Sequence, residues 1–226
     1  MNNSDFEDCF ALMQSLVEYR ARPIYPKLQT IGKEHSMLHL DVLTLIYHFS
    51  KICAGDILEI GSYVGGSTIA AAFGVRDSDQ RKTIVTIEPG GRLEHPRLPT
   101  KNIFKDLRKN LARNGVADLV TLIEGCSMTA ETVTAVRQRL VPGGVGLLII
   151  DADGNVERDL DIYRDLLAAG CWVVIDDYFM PGRESKDVLT KPQVNQLVDA
   201  GELHPLGLYG WGTWVGRWAP KTVSVI

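Results

Sequence analysis

Two groups of acidic residues stand where apolar runs end. Val145–Asp151 reads VGLLIID and passes into Ala152-Asp153, and Cys171–Asp176 reads CWVVID and passes into Asp177. Uniformly apolar runs of this length suit central parallel strands, whose sheet is covered on both faces. One helix-length segment joins the two runs, so they belong side by side or nearly so. Adjacent strands lie about 4.8 Å apart, which would bring Asp151 close to Asp176 and Asp177. Three carboxylates in one place repel unless something compensates them. A hard divalent cation such as Mg²⁺ does this, taking oxygen ligands at about 2.0–2.1 Å and keeping positions open for water or substrate. The plainer alternative has Asp153 or Asn155 capping a helix and Asp177 facing water.

A second group surrounds a glycine-rich turn. Ile57–Thr68 reads ILEIGSYVGGST: a buried strand, a turn and a helix start, whose free N–H groups can face a ligand. A dinucleotide fingerprint G-x-G-x-x-G needs a middle glycine beside the pyrophosphate. Gly61 and Gly66 have the outer spacing, but the middle position is Tyr63. The pattern E-x-G-x-x-x-G, by contrast, fits Glu59, Gly61 and Gly65. Glu88 ends the next apolar run, VTIE, where a carboxylate can accept two hydrogen bonds from ribose hydroxyls.

At these residues the sequence resembles the class I S-adenosylmethionine-dependent methyltransferases. The resemblance implies that the loop carrying Glu59, Gly61, Ser62, Tyr63, Gly65 and Ser67 wraps the methionine part of S-adenosylmethionine, that Glu88 holds the ribose, and that Gly125, Cys126 and Ser127 border the adenine. Ser127 could equally cap a helix. The two acidic strand ends are similar to those of the small cation-dependent O-methyltransferases of the catechol and caffeoyl-coenzyme A type, over about residues 36–178. By that resemblance Asp151 touches both cofactor and metal, Asp176 is the second metal ligand, and Asp177 stands where the group has asparagine. The group places a lysine or histidine three residues beyond the first aspartate. Gly154 stands there instead, so the catalytic base is unassigned. Asp153, or one of His35, His39 and His95 folding over from loops, are the candidates, and the sequence does not rank them. The expectation is methyl transfer from S-adenosylmethionine to a small hydroxylated molecule, assisted by Mg²⁺ or another divalent cation. The alternatives are a metal-independent N- or C-methyltransferase, a non-catalytic cofactor-binding module and, more remotely, a nicotinamide oxidoreductase.

These residues need elements to position them. Ser4 and Glu7 have capping-box spacing, and Phe6, Phe10, Met13 and Val17 follow at helical intervals. Pro23 and Pro26 are expected to stop this helix, and a second helix spans about 38–53. Residues 1–54 thus read as a helical extension or cap, and 55–226 as the cofactor-binding domain. Strands are expected at 56–61, 82–88, 119–124, 145–151 and 171–176, alternating with helices near 66–73, 101–113, 128–140 and 155–168. Such alternation implies a Rossmann-like, doubly wound α/β sheet. Asn114-Gly115, Pro142-Gly143-Gly144 and Ala169-Gly170 supply the breaks. Thr190-Lys191-Pro192 reads as a helix start. The runs flanking Tyr209-Gly210-Trp211-Gly212 read as an antiparallel pair at the sheet edge. Tyr25, His35, Tyr178, Phe179 and Met180 could line the pocket mouth, and a helix of the N-terminal extension can equally form a homodimer contact.

Composition narrows the partners. The 226 residues are 45% hydrophobic and 23% charged, with net charge −4, enough for a full core and unlike a nucleic-acid-binding surface. One basic ridge is expected, Lys101, Lys105, Lys109 and Arg113, read as a solvated helix face or as a docking surface for an acidic tail. Cys9, Cys53, Cys126 and Cys171 lack metal spacing and read as reduced thiols. No apolar run is long enough to span a membrane, and no signal core is seen. A cytoplasmic protein acting on a small molecule is expected.

Overall fold

The computed structural model describes residues 3–179 and 186–219, with side chains from residue 7 onward. The side chains of Ser4, and with it the capping box, and of Phe6 lie outside these, as do Met180 and Pro181-Gly182. Seven strands form one sheet in the order β3-β2-β1-β4-β5-β7-β6. β1 (Asp56–Ile60), β2 (Ile84–Glu88), β3 (Val120–Glu124), β4 (Val145–Ile150) and β5 (Leu167–Ile175) run parallel. β6 (Leu203–Tyr209) and β7 (Thr213–Trp218) close the edge as an antiparallel hairpin paired to β5. This is the expected doubly wound architecture with its antiparallel edge.

Side chains alternate across each strand, and here both faces are apolar. Ile57, Leu147, Ile149 and Val174 point into one core, and Leu58, Leu148, Ile150 and Val173 into the other. Fully burying each such side chain contributes about 1.5–3 kcal/mol. The first core is covered by α1 (Asn3–Tyr19), α2 (Tyr25–Glu34), α3 (Leu40–Ile52), α4 (Gly66–Arg76) and α5 (Ile103–Arg113). The second is covered by α6 (Ala130–Arg137), α7 (Val156–Tyr163) and α8 (Asp187–Asp199).

Four local expectations need correction. Pro26 does not stop a helix but opens one, lying in the first turn of α2, where its missing N–H has no intrahelical partner to lose. In α1 the inward stripe is Leu12 and Leu16, with Cys9 packed beside it, while Phe10, Met13 and Val17 lie on the exposed face. Leu167–Gly170 is not a helix end and break but the start of β5, because the apolar spacing of Leu160, Tyr163 and Leu166 runs on into the strand. α8 begins at Asp187, which leaves Pro192 in its interior. Among the described residues, no helix is long and apolar enough to cross a membrane.

Candidate active site

The parallel strands change direction of succession between β1 and β4, and a crevice opens at their carboxyl ends there, as doubly wound sheets dictate. The cleft has a volume of about 410 Å³. Gly61, Tyr63, Glu88, Gly125, Cys126, Ser127, Asp151 and Asp153 all line it, as do the apolar Met37, Leu93, Ile103 and Met128. A cavity of about 420 Å³ among α1, α3 and the end of α4 lies away from these strand ends and takes in none of these residues.

Gly61 makes the cleft geometrically possible. It has φ +86°, and a Cβ there would fall 2.0 Å from the Asp151 carbonyl oxygen. The ends of β1 and β4 therefore approach as closely as they do only with glycine at this turn. Ser62 N–H and Tyr63 N–H then donate to Glu88 Oε2 at 3.2 and 2.8 Å, and Gly90 N–H donates to Glu88 Oε1 at 2.9 Å. One carboxylate thus ties the loop after β1 to the loop after β2. Burial pushes the Glu88 carboxyl above its ordinary range, against the lowering effect of these amides. Tyr63 holds a left-handed φ of 49°, uncommon for a bulky residue, and its hydroxyl donates to Leu98 O.

The other loop residues support the turn from beneath. Glu59 is fully buried and accepts from Thr68 Oγ1 at 2.6 Å, and burial raises its carboxyl. Gly65 is the left-handed residue before α4, and Ser67 lies buried in that helix's first turn. On the far wall, Gly125 N–H donates to Glu88 O at 3.0 Å. Ser127 Oγ donates to buried Asp159 at 2.6 Å, and Ser127 does not cap α6, whose N-cap residue is Thr129.

The three strand-end aspartates do converge. Asp151, Asp176 and Asp177 each offer an oxygen within 4.8 Å of the others. Burial, then the neighbouring Asp176, drives the Asp151 carboxyl well above its usual range. Burial and Asp177 raise Asp176, opposed by the 2.5 Å hydrogen bond from Thr213 Oγ1. Asp177 takes a left-handed φ of 55°, a conformation aspartate tolerates better than most residues. Oxygen donors alone suit a hard cation, so the donor set fits Mg²⁺.

The histidine candidates have structural occupations. Buried His35 caps the end of α2, and burial lowers its pKa. His39 Nδ1 accepts from Asp41 N–H at 3.1 Å as the N-cap of α3, and its ring lies edge-on to Trp211. His95 Nδ1 accepts from Arg97 N–H and Leu98 N–H. Asp153 lines the cleft, but Arg158 grips it in two bonds of 2.8 and 3.0 Å, and this pairing holds its carboxyl below the usual range. Tyr25, His35, Tyr178 and Phe179 are not part of the cleft wall; Met37 takes that place.

Lys186, just before α8, was not a candidate from sequence. Its Nζ lies 3.2 Å from Asp177 Oδ2 and 3.9 Å from Asp151 Oδ1, and it too lines the cleft. Burial alone would lower its pKa, but Asp151 and Asp177 outweigh that and raise it. No local motif announces this residue, which is nine positions from Asp177 in the chain; only its charge opposite three carboxylates could have pointed to it.

A family model described as a methyltransferase domain matches residues 58–178, more than half of the chain. The chain belongs to this methyltransferase family. The match spans the glycine loop, Glu88 and both acidic strand ends, the same segments that carry the resemblance in the sequence. It also sets aside the nicotinamide alternative. No curated protein matches this methyltransferase significantly. Among solved structures it is similar to cofactor-bound Rv0187 from MTB, with 18% identity and TM-score 0.60 over 98% of this chain and 92% of that one. An O-methyltransferase from Bacillus cereus in complex with SAH has 15% identity and TM-score 0.60 over 95% and 91%. The O-methyltransferase TomG from Streptomyces achromogenes, in complex with SAM, has 17% identity and TM-score 0.60 over 92% and 96%. At these identities the likeness is one of fold.

Proposed function

We propose that this methyltransferase uses S-adenosylmethionine to methylate a hydroxyl oxygen of a small molecule, with a cation held beside the acceptor. The observation that carries the reading is the double place of Asp151, which lines the cleft together with the glycine loop and also belongs to the Asp151–Asp176–Asp177 cluster, whose other two members lie in a small adjoining pocket that shares Ala152 and Lys186 with the cleft. Gly61 lines the cleft at the β1 turn, Glu88 presents carboxylate lone pairs, and Ile87, Leu93, Ile103 and Met128 offer apolar surface for a flat ring. These features fit S-adenosylmethionine, which when bound supplies a methyl group on a good sulfonium leaving group. What remains for the protein is alignment, with nucleophile and methyl about 3–3.5 Å apart, and an electron-rich acceptor.

The finer proposal is that Asp151, Asp176 and Asp177 hold Mg²⁺ or a similar ion. Such an ion, when bound, lowers the pKa of a coordinated hydroxyl and orients it. Aspartates at neighbouring strand ends would fix that acceptor relative to the loop that holds the donor. A metal-independent reading is favoured by one observation: the Lys186 ammonium already stands at the cluster. A panel of catechols, vicinal diols and simple phenols, incubated with S-adenosylmethionine and either Mg²⁺ or excess chelator, tests the proposal. Methyl transfer lost in chelator and restored by Mg²⁺ supports the cation-assisted form. Undiminished transfer in chelator removes the ion, and transfer only to amines removes the O-methyl assignment.

A further inference from the structure

The backbone around Gly154 brings Lys186 to the aspartates. Gly154 has φ +87°, and a Cβ there would meet Lys186 O at 3.0 Å, Thr190 Oγ1 at 3.1 Å and Lys186 Cβ at 3.3 Å. The start of α8 is thus seated directly on the turn after β4. Thr190 Oγ1 fastens it by donating to Lys186 O at 3.0 Å, and Leu189 N–H and Thr190 N–H donate to the same carbonyl at 2.9 Å each. The Lys186 side chain is consequently delivered into the cleft, its Nζ between the carboxylates of Asp177 and Asp151.

We propose that Lys186 is a tethered cation that competes with a divalent ion for the Asp151–Asp176–Asp177 cluster. The inference rests on the reading of that cluster as a cation site and adds a built-in occupant to it. An ammonium offers three donors and no acceptor, so nothing in Lys186 could serve as a ligand to the ion. Both cations need the space between the same oxygens, and two positive charges a few ångströms apart in a partly buried site repel strongly. A divalent ion therefore binds when the ammonium withdraws, and the ammonium partly compensates the cluster's charge when no ion is present. The affinity of the site for metal is set below what three carboxylates would give on their own.

Direct Mn²⁺ binding, read from the free-ion signal in electron paramagnetic resonance, tests this without reference to activity. The full chain is compared with Lys186→Met, Lys186→Gln, Lys186→Arg and the double variant Asp176→Asn/Lys186→Met at pH 7.5. The Lys186 backbone carbonyl carries the α8 contacts, so these variants keep the helix start, and binding of S-adenosylhomocysteine confirms that each is folded. The expected result is Mn²⁺ affinity raised about tenfold or more in Lys186→Met and Lys186→Gln by loss of the repelling charge, with Lys186→Arg like the parent and the gain abolished in the double variant. A parent chain that binds Mn²⁺ and neutral variants that bind it equally or more weakly would overturn the competition while leaving the cation site standing. No Mn²⁺ bound by any form would overturn both.

Discussion

Glu88→Gln separates cofactor recognition from loop structure. The carboxylate accepts three backbone N–H bonds, two at Oε2 and one at Oε1, out of about four lone-pair positions. Glutamine keeps one carbonyl oxygen, which can retain the Ser62 and Tyr63 bonds, but it turns an NH₂ toward Gly90 N–H. That lost amide bond is disfavoured. Against it, the raised pKa of Glu88, caused chiefly by burial, means that the folded site already prefers a neutral group there. The two effects oppose, so the melting temperature should move by no more than about 2–4 °C, the shift that accompanies 1 kcal/mol in a chain of this size. Ribose binding has no such compensation. A hydrogen bond to a charged group is worth about 1.5–3 kcal/mol, so losing one weakens S-adenosylhomocysteine binding by a factor of roughly 10–150. Titration calorimetry on the parent and the variant, with thermal melts alongside, gives both quantities. Unchanged affinity in a folded variant would refute the assignment of Glu88 to the sugar, and a large loss of stability would refute the balance of burial against amide bonding.

Three further outcomes follow from the same chemistry. Asp176→Asn should stabilise the metal-free protein by about 1 kcal/mol at pH 7.5 by removing one member of a repelling group. Because the folded pKa of Asp176 is raised above 3.8, its charge costs stability progressively as pH climbs through that raised value, so the gain seen in urea melts must vanish near pH 4 and below. Glu59→Gln should behave similarly, since burial raises Glu59 above 4.5; the variant's advantage must widen from pH 5 to pH 8, and widening on acidification would contradict the burial argument. Gly154→Lys, which installs the side chain that the resembling enzymes carry, should lower stability by about 2–3 kcal/mol, combining a left-handed backbone penalty of about 1–2 kcal/mol with the close contact to Lys186 O. A melting temperature within error of the parent would show that the α8 start yields readily.

What the sequence made legible was whatever is encoded locally. Each β-strand's apolar run and the residue that ends it are contiguous, so the parallel strands, Gly61, Glu88 and the three aspartates could be located at strand ends, and the family resemblance suggested what they do there. The hairpin of β6 and β7 was equally visible, because Tyr209-Gly210-Trp211-Gly212 is itself the turn. Misreadings arose where one residue type serves two purposes. Proline ends helices and also begins them, which hid α2. Two apolar stripes run along α1, and only the packing of α3 decides that Leu12 and Leu16 face inward while Phe10, Met13 and Val17 do not. Lys186 was beyond reach for a different reason: its role depends on where the start of α8 lands, and that is fixed by the contact with Gly154.

The absence of a side chain at residue 154 and the presence of an amine at residue 186 are two aspects of one packing arrangement. A side chain at 154 would press its Cβ on Lys186 O at 3.0 Å and Lys186 Cβ at 3.3 Å, so the α8 start would have to shift to accept it. In this chain it is the start of α8 that delivers a positive group to the aspartates. That delivery has a chemical consequence. A neutral amine could take a proton from an acceptor hydroxyl, but Asp151 and Asp177 raise the pKa of Lys186, which favours the ammonium and makes it a poor base. On the proposed function its contribution is then charge: it would donate to an acceptor oxygen, or yield its place to an ion that binds that oxygen. In either case the proposed acceptor would be drawn to the end of β4, which packs closely against the glycine turn after β1.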